Sequence, residues 1–460
     1  MTSSIHRISR GSRLLEQEGR HLAVPPLTNQ IKSISHMQTN EDKLLNMSFE
    51  PQRWLHALSK GVDKDIRRDQ LILLAKPEGR AALYTAIRDG RYRVSPPHTA
   101  QIPKENGDFR TVYVNEPIDR VFLGILNDLL FEVAGDMVHP RCKSYQRGIG
   151  CGSVVQEVSR RICNTPGDII GWKADLSKYF DSVPVRFIDA AFDAVEERTG
   201  HSVVMDALRD YYHSDIYFDT DGVLQSKYQS LKQGCAVAAW LADVILYDLD
   251  EKLSSLNGYY VRYSDDMLFV GEDYAKAMDI LVEHLSAMEM GLNPKKVEYL
   301  SRNRWFKFLG FSIRGRDISL SKSRIKTFQK EIEGRTTKCQ STSMKRAIGQ
   351  VNRYLYKGNG DYSWATQVLP ICNVREDIET LNSFVIDCLR AVSTGKKRTG
   401  GLGYDSRGKT GCIARGKGRN VTSNRAKTEK EIPGYLSLSC MRNALVTSRE
   451  AYRTLVSQLS

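Results

Sequence analysis

The 460-residue sequence predicts an α+β fold in which short antiparallel strands carry the chemistry and helices surround them. Three observations predict it. Two apolar runs, 258–261 and 267–270, flank Tyr263-Ser264-Asp265-Asp266; they read as two short strands joined at a tight turn, with both carboxylates on the turn. A β-prone stretch, Asp168-Ile169-Ile170, runs on to Asp175 and reads as a buried strand that delivers this carboxylate at its end. Helical spacing recurs before and after these strands, and from Ser321 onward it is also basic.

The elements follow in order. Residues 46 to about 95 read as helical, with segments at 51–58, 63–74 and 81–89. Residues 96–115 hold a hairpin around Asn106-Gly107, a pair that favours a two-residue turn. Apolar helices are expected at 116–135 and 149–163. A helix starts near Pro184, since proline suits a first helical position, and another spans 203–212. Residues 216–229 read as a hairpin around Asp219-Thr220-Asp221-Gly222, 235–249 as one long apolar helix and 275–289 as another helix. Residues 345–356 and 380–392 close the regular part, and 436–460 reads as a short helical end.

Composition narrows the class of partner. Lys and Arg number 67 against 54 Asp and Glu, a net +13 that suits a polyanion. Residues 396–430 alone hold 11 basic residues, among them Lys396, Lys397 and Arg398, against Asp405 and Glu429. With seven glycines, this stretch reads as a flexible phosphate-binding segment that orders on RNA, or as a solvated linker. The length suits two to four domains. Nine cysteines are scattered with no C-x-x-C pair, so neither a zinc module nor a disulfide framework is expected; a reducing, cytoplasmic setting is the simplest reading. No apolar run reaches membrane-spanning length. The first 45 residues read as a basic flexible arm, with Glu16 and Glu18 arguing against a transit peptide.

Adjacent aspartates repel each other, and a fold keeps such a pair cheaply only where a cation sits. Hard carboxylate oxygens imply Mg²⁺, with Mn²⁺ as the alternative. Asp175 with Asp265 would hold two ions, and Asp266 would support the site or touch one of them. On these residues alone, Ser-Asp-Asp is also ordinary turn chemistry, and Asp175 also reads as a loop aspartate.

From about residue 90 to about 395 the chain resembles a reverse transcriptase, most like the bacterial group II intron and retron branch, with the motifs in that family's order. The resemblance is carried by 102–110, Asp119-Arg120-Val121, Ser144-Tyr145-Gln146-Arg147-Gly148, the stretch from Asp175 to Phe180, Leu231-Lys232-Gln233-Gly234, Tyr263 to Asp266, Leu292 to Lys296, and Phe308-Leu309-Gly310-Phe311. It implies a right-hand polymerase: fingers at 46–165, a palm with an antiparallel sheet at 166–315, a helical thumb at 316–395, and a basic C-terminal segment at 396–460.

The resemblance also implies roles. Asp175, Asp265 and Asp266 bind two Mg²⁺ ions and, with Lys296 as general acid for pyrophosphate, are catalytic. Lys295 would take the place of Lys296. Lys104 and Arg110 hang over the triphosphate of a dNTP, and Gln233 and Gly234 meet the nucleotide and the template pair. Phe180 excludes a 2′-hydroxyl. Phe308, Leu309 and Gly310 form a primer grip, and Lys345, Arg346 and Arg353 face a primer–template duplex.

The implied partners are an RNA template or non-coding RNA, a primer and dNTPs, with a homo-oligomer left open. Ala238-Ala239-Trp240 stand where the group II pattern has Ser-Pro, which leaves the subfamily open and makes a defence-associated enzyme one reading. Synthesis of RNA, untemplated DNA synthesis and a non-catalytic RNA-binding scaffold remain alternatives, and Asp181 keeps the first alive.

Overall fold

The computed structural model describes residues 42–59, 68–104, 108–146, 148–226, 230–339, 342–357, 363–395, 403–404, 413–414 and 432–438. The N-terminal arm up to residue 41, the Asn106-Gly107 tip, Arg147, Lys396 to Arg398 and residues 439–460 lie outside them. The described parts form two compact units: Met1–Val138 with Lys178–Leu246, and His139–Ser177 with Tyr247–Ser460.

The first unit opens with helices α1 (Lys43–Ser48), α2 (Pro51–Ser59), α3 (Arg68–Ala75) and α4 (Pro77–Arg88). Hairpin β1 (His98–Pro103) and β2 (Phe109–Val114) follows, then α5 (Pro117–Val133). Pro117 starts α5 because the first turn needs no donor there, and Val121, Phe122, Ile125, Leu126 and Leu129 give it a buried stripe. Asp119 serves the fold: its carboxylate accepts from Tyr92 Oη at 2.7 Å and Ser95 N–H at 2.9 Å, fastening the chain before β1 to α5.

At the described ends of the β1–β2 hairpin, Pro103 pairs with Phe109 and Lys104 N–H donates to Asp108 O at 2.6 Å.

Helix α6 (Cys151–Asn164) and strand β3 (Gly171–Asp175) belong to the second unit. The first resumes with α7 (Tyr179–Ser182), α8 (Val185–Thr199), α9 (Val203–His213), β4 (Ile216–Phe218), β5 (Leu224–Ser226) and α10 (Ala238–Val244). Its sheet runs β2-β1-β4-β5, with β1 and β4 parallel at His98 and Phe218. Pro184 caps α8 rather than opening it, because the short α7 already occupies the preceding residues.

The single apolar helix expected at 235–249 is two helices, α10 and α11 (Tyr247–Ser254). No glycine or proline marks the break. It falls where the chain passes from the first unit to the second, and α11 buries Leu249, Asp250 and Leu253 in the latter.

The second unit continues through β6 (Tyr259–Tyr263), β7 (Asp266–Val270), α12 (Tyr274–Ala287), β8 (Glu298–Leu300), β9 (Phe306–Phe308), β10 (Phe311–Arg314) and β11 (Asp317–Leu320). Helices α13 (Lys322–Arg335), α14 (Met344–Asn352), α15 (Trp364–Gln367) and α16 (Arg375–Thr394) follow, and β12 (Gly403–Tyr404) pairs with β13 (Ile413–Ala414). The main sheet has the order β6-β7-β3-β8, and β11-β10-β9 forms a second, smaller one. Strand β3 starts only at Gly171; the β-prone Ile169 before it is exposed, while Ile170 N–H still reaches Leu300 O at 2.9 Å.

One apolar core runs from α6 through both sheets to α13, α14 and α16. It includes Leu438. Around that residue, Asn352 Nδ2 donates to Gly434 O at 2.7 Å, Tyr356 Oη to Leu436 O at 2.6 Å, and Leu438 N–H to Asn382 Oδ1 at 3.2 Å. Residues 432–438 are thus a strap docked on the helices. Among the described residues, no helix is long and apolar enough to cross a membrane.

Candidate active site

Antiparallel register builds the site in the second unit. Strand β3 pairs with β7 so that Asp175 stands opposite Asp266, and β7 pairs with β6 so that Asp266 stands opposite Tyr263. Directly opposed residues on neighbouring strands bring their Cβ atoms to about 5 Å. The sequence predicts both carboxylates of the pair on the turn; in the fold Ser264 and Asp265 form the turn, and Asp266 is the first residue of β7. The cause is the ladder: a closing pair Tyr263–Asp266 leaves two residues between the strands.

A third segment aligns the fourth group. Asn293 N–H donates to Asp175 O at 2.9 Å, and Ser177 N–H to Gly291 O at 2.8 Å. A 3₁₀ turn, Pro294–Lys296, capped by Asn293 Oδ1, then brings Lys296 Nζ to 2.6 Å from Asp175 Oδ2. Lys295 is exposed with no such contact. Asp175 is only 6% exposed, so Lys296 offsets a charge that water reaches poorly. Burial pushes the Asp266 carboxyl up, to about 6; the Asp265 and Asp175 charges push the same way, and Lys296 and Lys173 oppose them.

Three carboxylates therefore outnumber the two lysines that oppose them, and the site is net negative. Among the described residues no three His, Cys, Asp or Glu side chains converge as a ready metal cage. The donor set, two carboxylates plus one shared with a lysine, nonetheless suits Mg²⁺, which commonly takes one or two carboxylates and completes its shell with water and substrate phosphates.

The turn itself is held from outside. Ser264 has a left-handed φ of +57°, uncommon for a residue with a Cβ. Its N–H donates to Ser144 Oγ at 2.9 Å, and Arg262 Nη1 donates to Ser264 O at 3.4 Å. Arg141 to Lys143 run alongside β6, with Arg262 N–H donating to Arg141 O at 3.0 Å and Lys143 N–H to Arg262 O at 2.9 Å. Arg262 is fully buried and grips Asp250 through Nε at 2.8 Å and Nη2 at 2.6 Å, while Tyr260 Oη donates to the same carboxylate at 2.9 Å. Ser144, Asp250 and Arg262 are supporting residues that the local sequence pattern does not mark as such. Ser144 lies in the Ser144–Gly148 motif, but its partner is 120 positions away.

Ser144→Ala is expected to cost about 1 kcal/mol of stability. It should lower kcat more than it raises KM, because it loosens the turn rather than a substrate contact. Rescue by Ser144→Thr, measured in steady-state primer extension, checks this.

The expected nucleotide-binding residues lie in the first unit. Lys104 closes the β1–β2 hairpin, and Arg110, exposed on β2, pairs with Ile102. Phe180 is half-buried on α7, and its carbonyl accepts from Ser230 Oγ at 2.7 Å. Ser230 leads into the loop of Gln233 and Gly234. Tyr113 N–H donates to Gln233 O at 2.7 Å, and Gly234, at φ +114°, lies so close that a Cβ would stand 2.5 Å from Tyr113 O. The close approach that glycine permits here is to the backbone of β2. Lys232, at φ +52°, donates to the carbonyls of Tyr211 and Ser214, and burial lowers its ammonium to about 8.

Phe308, Leu309 and Gly310 form the β9–β10 turn; Leu309 and Gly310 take φ of +47° and +79°, the signs a type I′ turn requires. Lys345 and Arg346 are exposed on α14, and Arg353 follows in a π-helical turn, Arg353–Lys357.

Of the six described non-glycine residues with positive φ, five (Tyr145, Lys178, Lys232, Ser264 and Leu309) fall in the motifs quoted above. Such strain persists where surroundings over-determine a functional loop.

The carboxylates thus align on adjacent strands of an α+β fold. Residues 102–313, which hold them, match the family model described as Reverse transcriptase (RNA-dependent DNA polymerase). Over that stretch, under half of the chain, the match supports a nucleotidyltransferase of the RNA-directed DNA polymerase class.

Two similar solved structures are of apo telomerase from Candida tropicalis. One, truncated from its C-terminal domain, is 15% identical, covers 49% of this chain and 56% of that chain, and gives a TM-score of 0.37. The other is 13% identical, covers 74% and 60%, and gives 0.41. The chain thus spans less than two thirds of either. No curated protein matches it.

Proposed function

We propose that the chain extends a nucleic-acid 3′ end with dNTPs on an RNA template. The observation that carries this reading is the register of Asp175 with Asp266, with Asp265 on the adjoining turn, inside the stretch that matches the reverse transcriptase model. The 3′-hydroxyl oxygen bonds to the α-phosphorus, the bond to the bridging oxygen of the β-phosphate breaks, and pyrophosphate leaves. Asp175, Asp265 and Asp266 would hold two Mg²⁺ ions, which when bound lower the pKa of the attacking hydroxyl and neutralise the leaving charge.

The chain's own groups do the rest. Lys296 holds Asp175 in place and gives its proton to the departing pyrophosphate. Lys104 and Arg110 grip the triphosphate, with the Arg fork suited to two phosphate oxygens. Gln233 and Gly234 position the incoming base, Phe308 to Gly310 hold the primer end, and Lys345, Arg346 and Arg353 follow the duplex. Phe180 crowds the sugar 2′ position. Its backbone is fixed by Ser230, which keeps the ring tied to the Gln233 loop.

We further propose, from the motif resemblance, an enzyme of the bacterial group II intron and retron branch, and we place it with a specific RNA in the cytoplasm and in host defence.

Phe180→Ala tests the substrate reading. It should raise the use of NTPs relative to dNTPs by about 10- to 100-fold in single-nucleotide incorporation. A wild-type preference for NTPs, unchanged in the variant, would instead make the chain an RNA polymerase.

A further inference from the structure

The second unit carries a basic groove made of residues separate from the carboxylate set. Two open hollows of about 460 and 750 Å³ adjoin at Cys163 and Arg316. The end of α6 supplies Arg160 and Arg161. The residues after β8 supply Arg302, and the β10–β11 hairpin supplies Arg314 and Arg316. Five guanidinium groups thus face two carboxylates, Glu157 and Asp317, an excess of three positive charges.

The two carboxylates are already engaged. Glu157 takes Arg160 at 2.5 Å and Arg161 at 2.7 Å, and Asp317 takes Arg314 at 2.8 Å. Arg302 and Arg316 have no carboxylate partner among the described residues. Arg302 Nη2 donates to Thr165 O, yet its Nε is buried with no acceptor. A buried donor without a partner is costly, and so is a cluster of like charges; one anion in the hollow would relieve both. Arg314 lies 4.6 Å over the Trp305 ring, which adds an aromatic platform. The tight two-residue turn of Gly315, at φ +54°, and Arg316 projects the exposed Arg316 at the junction of the hollows.

We propose that this groove binds the phosphodiester backbone of an RNA and anchors the RNA partner through residues that take no part in nucleotide addition. An open groove admits a continuous chain, and guanidinium forks match phosphate oxygens. The inference rests on the reading that the chain uses an RNA.

The test uses the full chain, a labelled RNA stem-loop with a single-stranded tail, and separately poly(rA)·oligo(dT) for extension. Arg302→Ala/Arg316→Ala should weaken stem-loop binding about tenfold. It should also flatten the slope of log affinity against log salt by about two, one per lost phosphate contact, while kcat for oligo(dT) extension at saturating template holds. Arg316→Glu guards against misfolding, since that side chain is exposed; it should weaken binding in the same direction with an unchanged melting temperature. Unchanged affinity and slope in both variants would overturn the groove. If wild-type protein fails to extend oligo(dT), the polymerase reading falls, and the binding data still judge the groove separately.

Discussion

Asp265→Asn is expected to abolish nucleotide incorporation, by at least about 10³-fold or ~4 kcal/mol of transition-state stabilisation, without unfolding the protein. The substitution preserves shape. The turn is closed by the Tyr263–Asp266 pair, and Leu176 N–H, just after β3, donates to the backbone carbonyl of residue 265 at 3.2 Å. Neither needs the side-chain charge. Removing that charge relieves the repulsion that helps push Asp266 up, so the metal-free melting temperature should hold or rise. Stability and activity therefore move apart, which separates a catalytic loss from a folding loss. Single-turnover extension beside a thermal melt reads both. Activity within tenfold of wild type would remove Asp265 from the chemistry.

Breaking the Arg262–Asp250 pair should give the largest loss of stability. Both side chains have 0% exposure, so Asp250→Ala leaves a guanidinium and the Tyr260 hydroxyl without their acceptor. Removing one partner of such a pair costs about 3–5 kcal/mol. The apolar double variant Asp250→Leu/Arg262→Met should recover most of that stability, because well-packed hydrophobic residues replace buried ion pairs at little cost. It should not recover full activity, since the bond from Arg262 to Ser264 O beside Asp265 is gone. Urea unfolding of the single and double variants, with extension rates on each, checks both halves. A double variant as active as wild type would mean that the pair serves the fold alone.

Much of this site was legible from local pattern. Apolar runs around an acidic turn predict the β6–β7 hairpin, and a β-prone run ending in Asp175 predicts β3. Neither needs knowledge of distant contacts. What escaped is long-range. The place of Asp266 in the strand depends on its ladder with Asp175 and Tyr263. The support of the turn by Ser144 joins positions that no periodicity links. The stretch at 235–249 keeps its apolar spacing straight through the break between α10 and α11, because the break reflects passage between units rather than a local stop signal. The strap at 432–438 depends on Asn352 and Asn382, whose side-chain amides meet its backbone some 50 to 80 residues on. The groove arginines are likewise spread from Arg160 to Arg316 and converge only when α6 meets the β10–β11 hairpin.

The most direct measurement is primer extension by the purified chain with Mg²⁺, dNTPs and an RNA template of defined sequence, run beside Asp265→Asn, with the product sequenced. DNA complementary to the RNA, made by wild type and absent with the variant, is the expected product. Product that ignores the template, or incorporation that survives the substitution, would contradict the proposed function.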